Sequence, residues 1–431
     1  MKQTEIGSST SAISRGLNSK ELQSKTSNGA ATKPGGMVYD LSSTIGMLES
    51  RSSMRPLEQG TVSDVTETNP FIFYRERLDS YSRAVAAGWS DQQFVDLVSD
   101  MNAQIQRVDG RGFSMTPTLD GAPLATALGL DVDLKVKVEI DSVGGSHKAR
   151  HLFGVALHLA IDETASGSSN HPLVISSCGN AAIAAAIVAK AISHPIEVFV
   201  PTWAEEPVLE QLKDLGVTLQ ICEPKVNEKG DPCYSRFIEA VNKGSRPFGV
   251  QGTNTSTTFD GGRTLGWELQ DQAENLDTVF IQVGGGALGT ATAKALSDIA
   301  VYPVQVEGCA PFKRAWDLLA PDFNMKTANS TPERFMWPWD KPASAASGLL
   351  DDITYDWLPL LEETLNSGGE PVVVSETTLI ETHRVATSVT GLNVSPTGSA
   401  GLAGLVSASP EAGTVVAVVF TGIDRQNEVT G

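Results

Sequence analysis

The chain has 431 residues, 41% of them hydrophobic and 40 of them glycine, which suits a globular α/β protein of two or three folding units and not a disordered or fibrous chain. Its net charge of −19, from 32 basic and 51 acidic residues, opposes binding to nucleic acid or anionic membranes, where basic patches supply most of the affinity. The four cysteines (Cys178, Cys222, Cys233, Cys309) form no disulfide framework, the six histidines include no His-Glu-x-x-His run, and no apolar stretch reaches the roughly 18 residues that span a bilayer, so the expectation is a cytoplasmic protein without a secretory signal.

Residues 1 to about 65 are expected to be a flexible extension. Through Gly35 they hold 11 serines and threonines, and no aromatic precedes Tyr39. Such a stretch cannot bury enough apolar area to offset its ordering entropy. It reads as a tail or as a strap over a neighbouring subunit, and its small basic excess also fits a transit peptide. Regular structure is expected from about Asn69. Ser90 and Gln93 fit a capping box, and Phe94, Leu97, Val98, Met101 and Ile105 follow at helical spacing.

From Asp131 to Asp141 the chain alternates. Leu134, Val136, Val138 and Ile140 share one face, and Lys135, Lys137 and Glu139 the other, which predicts a strand with one solvated face. Strands and helices then take turns: strand 172–176, helix 181–192, strand 196–200, helix 206–215 and strand 218–221, followed farther on by strand 278–283, helix 287–299 and strand 304–307. This order implies parallel sheets with helices on both faces.

Four loops lie where such sheets place ligands, just beyond strand ends. Gly144-Gly145-Ser146-His147-Lys148 puts a lysine at the start of a helix, where the helix dipole disfavours its charged form and makes it a usable amine. Taken alone it also reads as a surface lysine after a turn. Ser177-Cys178-Gly179-Asn180-Ala181-Ala182 opens an Ala-rich helix, whose free N–H groups suit a carboxylate; an ordinary N-cap is the plainer alternative. Gly284-Gly285-Gly286-Ala287-Leu288-Gly289-Thr290 follows an apolar strand and signals an anion site. It also satisfies the dinucleotide pattern, with Glu307 placed to meet a ribose, so an NAD-dependent oxidoreductase stays open at this point. The fourth loop, Thr421-Gly422, ends the strand Val418-Val419-Phe420 and by itself reads as a turn.

In this order the four loops resemble the fold type II pyridoxal-phosphate enzymes, the group of the serine and threonine dehydratases, threonine synthase, cysteine synthase and the tryptophan synthase β subunit. The likeness runs over roughly residues 113 to 425. Ser146-His147-Lys148 matches the lysine that carries the cofactor in Schiff-base linkage, and Asn180 follows at the family's spacing. Gly284 to Thr290 matches the phosphate loop, and Thr421 stands where the family has a hydroxyl residue beside the pyridine nitrogen. Thr116-Pro117-Thr118, Phe199-Val200-Pro201 with Leu212 to Val217, and Gly261-Gly262-Arg263-Thr264 with Glu268 agree as well. The departures are Gly144-Gly145 in place of Pro-Thr-Gly, His147 in place of the dehydratases' aromatic, and Ser395-Pro396-Thr397-Gly398-Ser399-Ala400 in place of a segment with an acidic start. They bear on the substrate and not on the cofactor.

The resemblance implies an α/β fold of two doubly wound parallel-sheet subdomains with pyridoxal 5′-phosphate in the cleft between them. The expected smaller subdomain covers about 136–250, and the larger about 66–135 plus 251–431. It further implies that Lys148 is both cofactor anchor and Cα base. Asn180, Gly284, Gly285, Gly286, Ala287, Leu288, Gly289 and Thr421 would bind the cofactor, and Ser177, Cys178, Gly179 and Ala181 the substrate carboxylate. The implied activity is a lyase acting on an amino acid by β-elimination, in a homodimer. The alternatives are a β- or γ-replacement synthase, more remotely the NAD enzyme, and a cofactor-binding regulator without catalysis, against which the full lysine–asparagine–glycine–threonine set argues.

Overall fold

The computed structural model describes residues 67–425, except 168–170, 226–227, 229–230 and 321–322, together with two short strands, β1 (Ala30–Thr32) and β2 (Val38–Asp40). Those strands pair antiparallel. The expected flexible extension otherwise lies outside the described residues. Gln59–Leu319 with Asn324–Gly431 forms one compact unit, which contains everything described below.

Asn69 opens the described helices. Its side chain accepts the Phe71 N–H at 2.9 Å, capping the helix Pro70–Phe73. The capping box at Ser90 and Gln93 is present and starts the helix Asp91–Asp109. The remaining strands are β3 (Thr118–Asp120), β4 (Asp133–Val138), β5 (Leu173–Ser176), β6 (Ile196–Pro201), β7 (Thr218–Cys222), β8 (Arg246–Pro247), β9 (Thr278–Gln282), β10 (Ala300–Val306), β11 (Val372–Val374) and β12 (Val415–Phe420). They form a six-stranded sheet ordered β11-β10-β9-β12-β4-β3 and a four-stranded sheet ordered β7-β6-β5-β8. Every pairing in them is parallel except β3 with β4. β12 lies inside the larger sheet, with Val418 opposite Val136 on one side and Phe280 on the other. That is where an unbroken apolar run such as Val415–Phe420 belongs.

Three expectations need correction. The smaller unit was expected from about 136, but β4 pairs with β12 and β3 in the larger sheet, so the smaller sheet's own strands begin at Leu173. Residues 70–109 were assigned to the larger unit. Their apolar faces (Phe71, Phe94, Val98, Ile105) instead join the core of the smaller sheet, together with Ile183, Ile187 and Val198. The helix after the glycine loop ends at Ala295 and not at 299, because Asp298 turns the chain at φ 59° and β10 begins at Ala300.

A fourth correction concerns β4. The face carrying Lys137 and Glu139 is buried, not solvated. Two helices cover it, Lys148–Ser166 and Thr258–Gln272. Lys137 Nζ donates to Glu268 Oε2 at 2.7 Å and to the Thr116 carbonyl at 2.6 Å. Arg150 joins Glu139 to Glu268, with Nε to Glu139 Oε2 at 2.9 Å and Nη1 to Glu268 Oε1 at 2.6 Å. Thr116, singled out in the sequence, donates its hydroxyl to Glu139. Buried charges persist only when paired and hydrogen-bonded in this way. Burial alone would raise the Glu268 carboxyl; Arg150 and Lys137 outweigh it and hold the group low.

The two covering helices cross almost backbone to backbone. A Cβ built on Gly261 would lie 2.0 Å from the Arg150 carbonyl oxygen, and one on Gly154 would lie 2.4 Å from the Gly261 nitrogen. Only glycine fits at either position. Among the described residues, no helix is long and apolar enough to cross a membrane.

Candidate active site

Lys148 is reached through a tight turn. Gly144 and Gly145 sit at φ 66° and 72°, Ser146 is extended, and the helix begins at Lys148. The side chain is half-buried. Burial lowers the Lys148 ammonium below the usual lysine range, against an opposing pull from Asp351 and Asp356. Desolvation makes this amine less basic.

The residue before it contacts the fourth loop. Thr421 Oγ1 accepts the His147 main-chain N–H at 2.9 Å and lies 2.8 Å from His147 Nδ1. Both residues are buried. Ile423 N–H donates to the Gly145 carbonyl at 3.1 Å, so the end of β12 is tied to the lysine turn by main chain as well. Burial, then the charges of Lys148, His151 and Arg150, hold the His147 imidazole well below its usual pKa.

Asn180 begins the helix Asn180–Ala191, after Gly179 at its N-cap. Ser177, Cys178 and Gly179 before it are half-buried, and Ala181 is buried. Arg425 donates to Asn180 Oδ1 and, at 2.9 Å, to the Gly144 carbonyl. A Cβ on Gly422 would lie 3.1 Å from Asn180 Nδ2. The amide oxygen is therefore engaged by Arg425, and its NH2 lies against the Thr421-Gly422 turn. Burial pushes the Cys178 thiol up to about 11, which removes it as a thiolate nucleophile at neutral pH.

The glycine loop starts the helix Ala287–Ala295, with Gly286 in the left-handed region at φ 100°. The first N–H groups of a helix have no acceptor within it. Side chains are excluded here: a Cβ on Gly284 would lie 2.7 Å from the Gly348 carbonyl oxygen, and one on Gly286 3.1 Å from Thr354 Cγ2. The segment in contact brings two acids that the sequence reading missed. Asp351 Oδ2 lies against this loop, 3.2 Å from where a Cβ on Gly285 would stand, and burial pushes its carboxyl up to about 6 against the pull of Lys148. Asp356 donates its own N–H to the Gly285 carbonyl at 2.8 Å, and its Oδ1 accepts from Thr253 N–H at 3.1 Å. Burial likewise pushes its carboxyl up to about 6. Glu307, the residue that would meet a ribose in the dinucleotide reading, is engaged elsewhere: its carboxylate accepts the Glu376 N–H at 2.9 Å.

Four predicted segments are thus brought to one place. The Lys148 turn touches Thr421 directly and Asn180 through Arg425. The glycine loop faces Lys148 through Asp351 and Asp356. Buried polar atoms with no hydrogen-bonding partner among the described residues lie on these same elements: His147 Nε2, His151 Nε2, Thr290 Oγ1 and Asp356 Oδ2. Such orphans call for a partner, and a phosphate-bearing ring with polar edges supplies acceptors and donors of the needed kind. The glycine cradle and the lysine fit that group. Asp351 is the one dissonant element, since its carboxylate lies against Gly284 and Gly285 of the cradle.

Comparison with known proteins agrees. Over 227 residues the chain is 26% identical to phenylserine dehydratase from Ralstonia pickettii, covering 52% of this chain and 65% of that protein, just under two thirds of its length. It is 23% identical over 301 residues to a serine racemase from Arabidopsis thaliana, covering 68% and 81%. The solved structure of maize serine racemase superposes with a TM-score of 0.59 at 18% identity, over 77% of this chain and 95% of that one, a likeness that shows the fold. The profile described as "Pyridoxal-phosphate dependent enzyme" matches residues 111–422. That span takes in the lysine turn, the asparagine helix, the glycine loop and Thr421 together, and the chain belongs to the family of pyridoxal-phosphate-dependent enzymes.

Proposed function

We propose that the protein is a lyase that removes the Cα proton and then the β substituent of an amino acid, releasing ammonia on hydrolysis. One observation carries the reading: Lys148, an amine made less basic by burial, follows a residue hydrogen-bonded to Thr421, a neutral hydroxyl and not a carboxylate. When bound, pyridoxal phosphate supplies the electron sink that makes the Cα proton acidic.

The chain's own residues do the rest. Gly284, Gly285, Gly286, Ala287, Leu288 and Gly289 offer N–H groups and a helix start to the phosphate. Asn180, its oxygen engaged by Arg425, presents its NH2 to the ring hydroxyl. Ser177, Cys178, Gly179 and Ala181 hold the substrate carboxylate at a second helix start. Lys148 anchors the cofactor and, once released by the substrate, accepts the Cα proton. Thr421 meets the ring nitrogen without supplying a negative charge, which favours prompt loss of a β leaving group. The dehydratase among the relatives supports this assignment.

His147, where the dehydratases carry an aromatic, favours a second reading as a β- or γ-replacement synthase. A screen of β-hydroxy and other β-substituted amino acids, with and without added nucleophiles, separates the two. Keto acid and ammonia without a nucleophile support the lyase; turnover only with one supports the synthase. Borohydride reduction followed by peptide mapping tests the shared premise: label on any lysine other than Lys148 overturns it. We extend the proposal to a cofactor cleft between the two sheet units and to a homodimer in a reducing cytoplasm. The four free cysteines support the compartment, and light scattering tests the dimer.

A further inference from the structure

Cys222 and Cys233 have no part in the proposed chemistry, yet the fold brings them together. Cys222 ends β7, and Cys233 lies in the first turn of the helix Pro232–Asn242. Both are buried, in one apolar cluster with Val174, Phe199, Phe237 and Ala240. Their thiols are close enough for each to act on the ionisation of the other. Either one alone is accounted for as a small apolar side chain; side by side they are also a dithiol.

The two differ in access. Cys222 lines an open groove of about 440 Å3, and Cys233 lies behind it. Three cations (Lys225, Arg236, Lys243) and three carboxylates (Glu197, Glu223, Glu239) line the same groove, which suits a small disulfide that carries both charges, as oxidised glutathione does. Burial raises both thiols. At Cys222 the neighbouring Cys233 and Arg236 work against it, ahead of a lesser push from Asp231. At Cys233 both Asp231 and Cys222 add to it. Cys222 is thus the sulfur that an oxidant reaches and that ionises more readily. Burial slows the exchange, since the thiolate is the attacking form, but it does not set where the exchange comes to rest. Two thiols held side by side favour the closed form.

We propose that Cys222 and Cys233 form a redox site that closes to an internal disulfide by exchange with a small disulfide of the glutathione type, and that the bond pins the turn that carries Tyr234. The Cys222 thiolate attacks the small disulfide, and one glutathione leaves with the electron pair and takes up a proton. Cys233 gives up its proton and attacks the Cys222 sulfur, and the second glutathione leaves. One bond forms between Cys222 and Cys233, one glutathione disulfide bond breaks, and two electrons pass from the protein to glutathione. Tyr234 follows Cys233 in the chain. Its hydroxyl donates to Asn254 Oδ1 at 3.3 Å, and its ring lies 6.2 Å from that of Tyr355, which sits against Gly285. The redox site is independent of the proposed function and holds whichever reaction the protein performs.

Holoenzyme equilibrated at pH 8 in buffers of reduced and oxidised glutathione tests the proposal. In the oxidising buffer the chain is expected to lose two hydrogens in mass. Proteolysis without reduction should then yield one peptide pair joined through Cys222 and Cys233, and dithiothreitol should restore the original mass. Amide exchange at the start of the helix Pro232–Asn242 is expected to slow severalfold in the closed form. Cys222→Ser and Cys233→Ser should each abolish closure, and Cys233→Ser should retain glutathione on Cys222, as the attacking sulfur. Thiols that stay free in excess oxidised glutathione overturn the proposal. So does glutathione on Cys178 or Cys309 without a bond between Cys222 and Cys233, or a disulfide between two chains. Equal amide exchange in the open and closed forms overturns the pinning.

Discussion

Arg150 donates from Nη1 to Glu268 Oε1 at 2.6 Å, and it stands two residues beyond Lys148 on the same helix. The lysine is therefore anchored from below by a buried ion network that also includes Lys137, Glu139 and Thr116. Glu268→Ala would leave two buried cations short of a carboxylate. The expected loss is about 3–5 kcal/mol of stability, read as a lower urea midpoint with an unchanged slope. A loss under about 1 kcal/mol would mean that water reaches the network.

Asp351 bears on cofactor loading. Its carboxylate lies against Gly284 and Gly285 in the cradle, where a phosphate dianion would meet an anion of like sign. Asp351→Asn keeps the shape and removes the charge. Cofactor affinity at pH 8 is expected to rise by about tenfold, or ~1.4 kcal/mol. At pH 5, below the value of about 6 to which burial raises the group, wild type and variant should converge. Fluorescence titration at the two pH values checks both. Equal affinities at pH 8 would show that Asp351 moves away at no cost.

Asp356 gives a pH dependence of opposite sign to that of a salt-bridged acid. Burial raises its carboxyl to about 6 in the folded chain, so the native state holds its proton more tightly than the unfolded state does. The stability it contributes is full below about pH 4, falls as the pH rises to about 6, and is lost above that. In the cofactor-free protein, Asp356→Asn should be more stable than wild type at pH 8 by about 1–3 kcal/mol. The difference should vanish near pH 4. Thermal melts across that range test it, and a variant less stable at pH 8 would refute the burial argument.

Arg425 orients Asn180. With Oδ1 held by the guanidinium, the amide cannot flip, which on the proposed placing of Asn180 keeps its NH2 turned to the ring hydroxyl. Arg425→Gln should speed cofactor release by about tenfold, measured by transfer of pyridoxal phosphate to a trapping apoenzyme. An unchanged release rate would remove Arg425 from the site while leaving Asn180 in question.

The sequence made the strands and the glycine loop legible because apolar runs and consecutive glycines are local signals. Lys148, Asn180 and Thr421 were legible only as an ordered set, since each alone reads as a surface lysine, a cap or a turn. Asp351 and Asp356 were not legible. They sit in an irregular segment without periodicity, and what matters about them is contact with a glycine loop far away in the chain. Arg425 lies beyond the last strand, in no pattern at all. The buried side of β4 was misread for a similar reason. Alternation reports that a strand has two unlike faces, but not that the polar one is wet, and the partner that keeps Lys137 dry lies 131 residues away.

The crossing at Gly154 and Gly261 has a further consequence. Helices packed through side chains can shift past one another as those side chains are exchanged, and a lineage can drift in geometry by small steps. Two backbones in contact at these glycines offer no such freedom: any side chain there pushes the helices apart. The main-chain crossing thus holds the helix that carries Lys148 in place, alongside the ion network around Arg150. Descendants of this protein can acquire new substrates by changing what surrounds the amine, while the amine itself stays where it is.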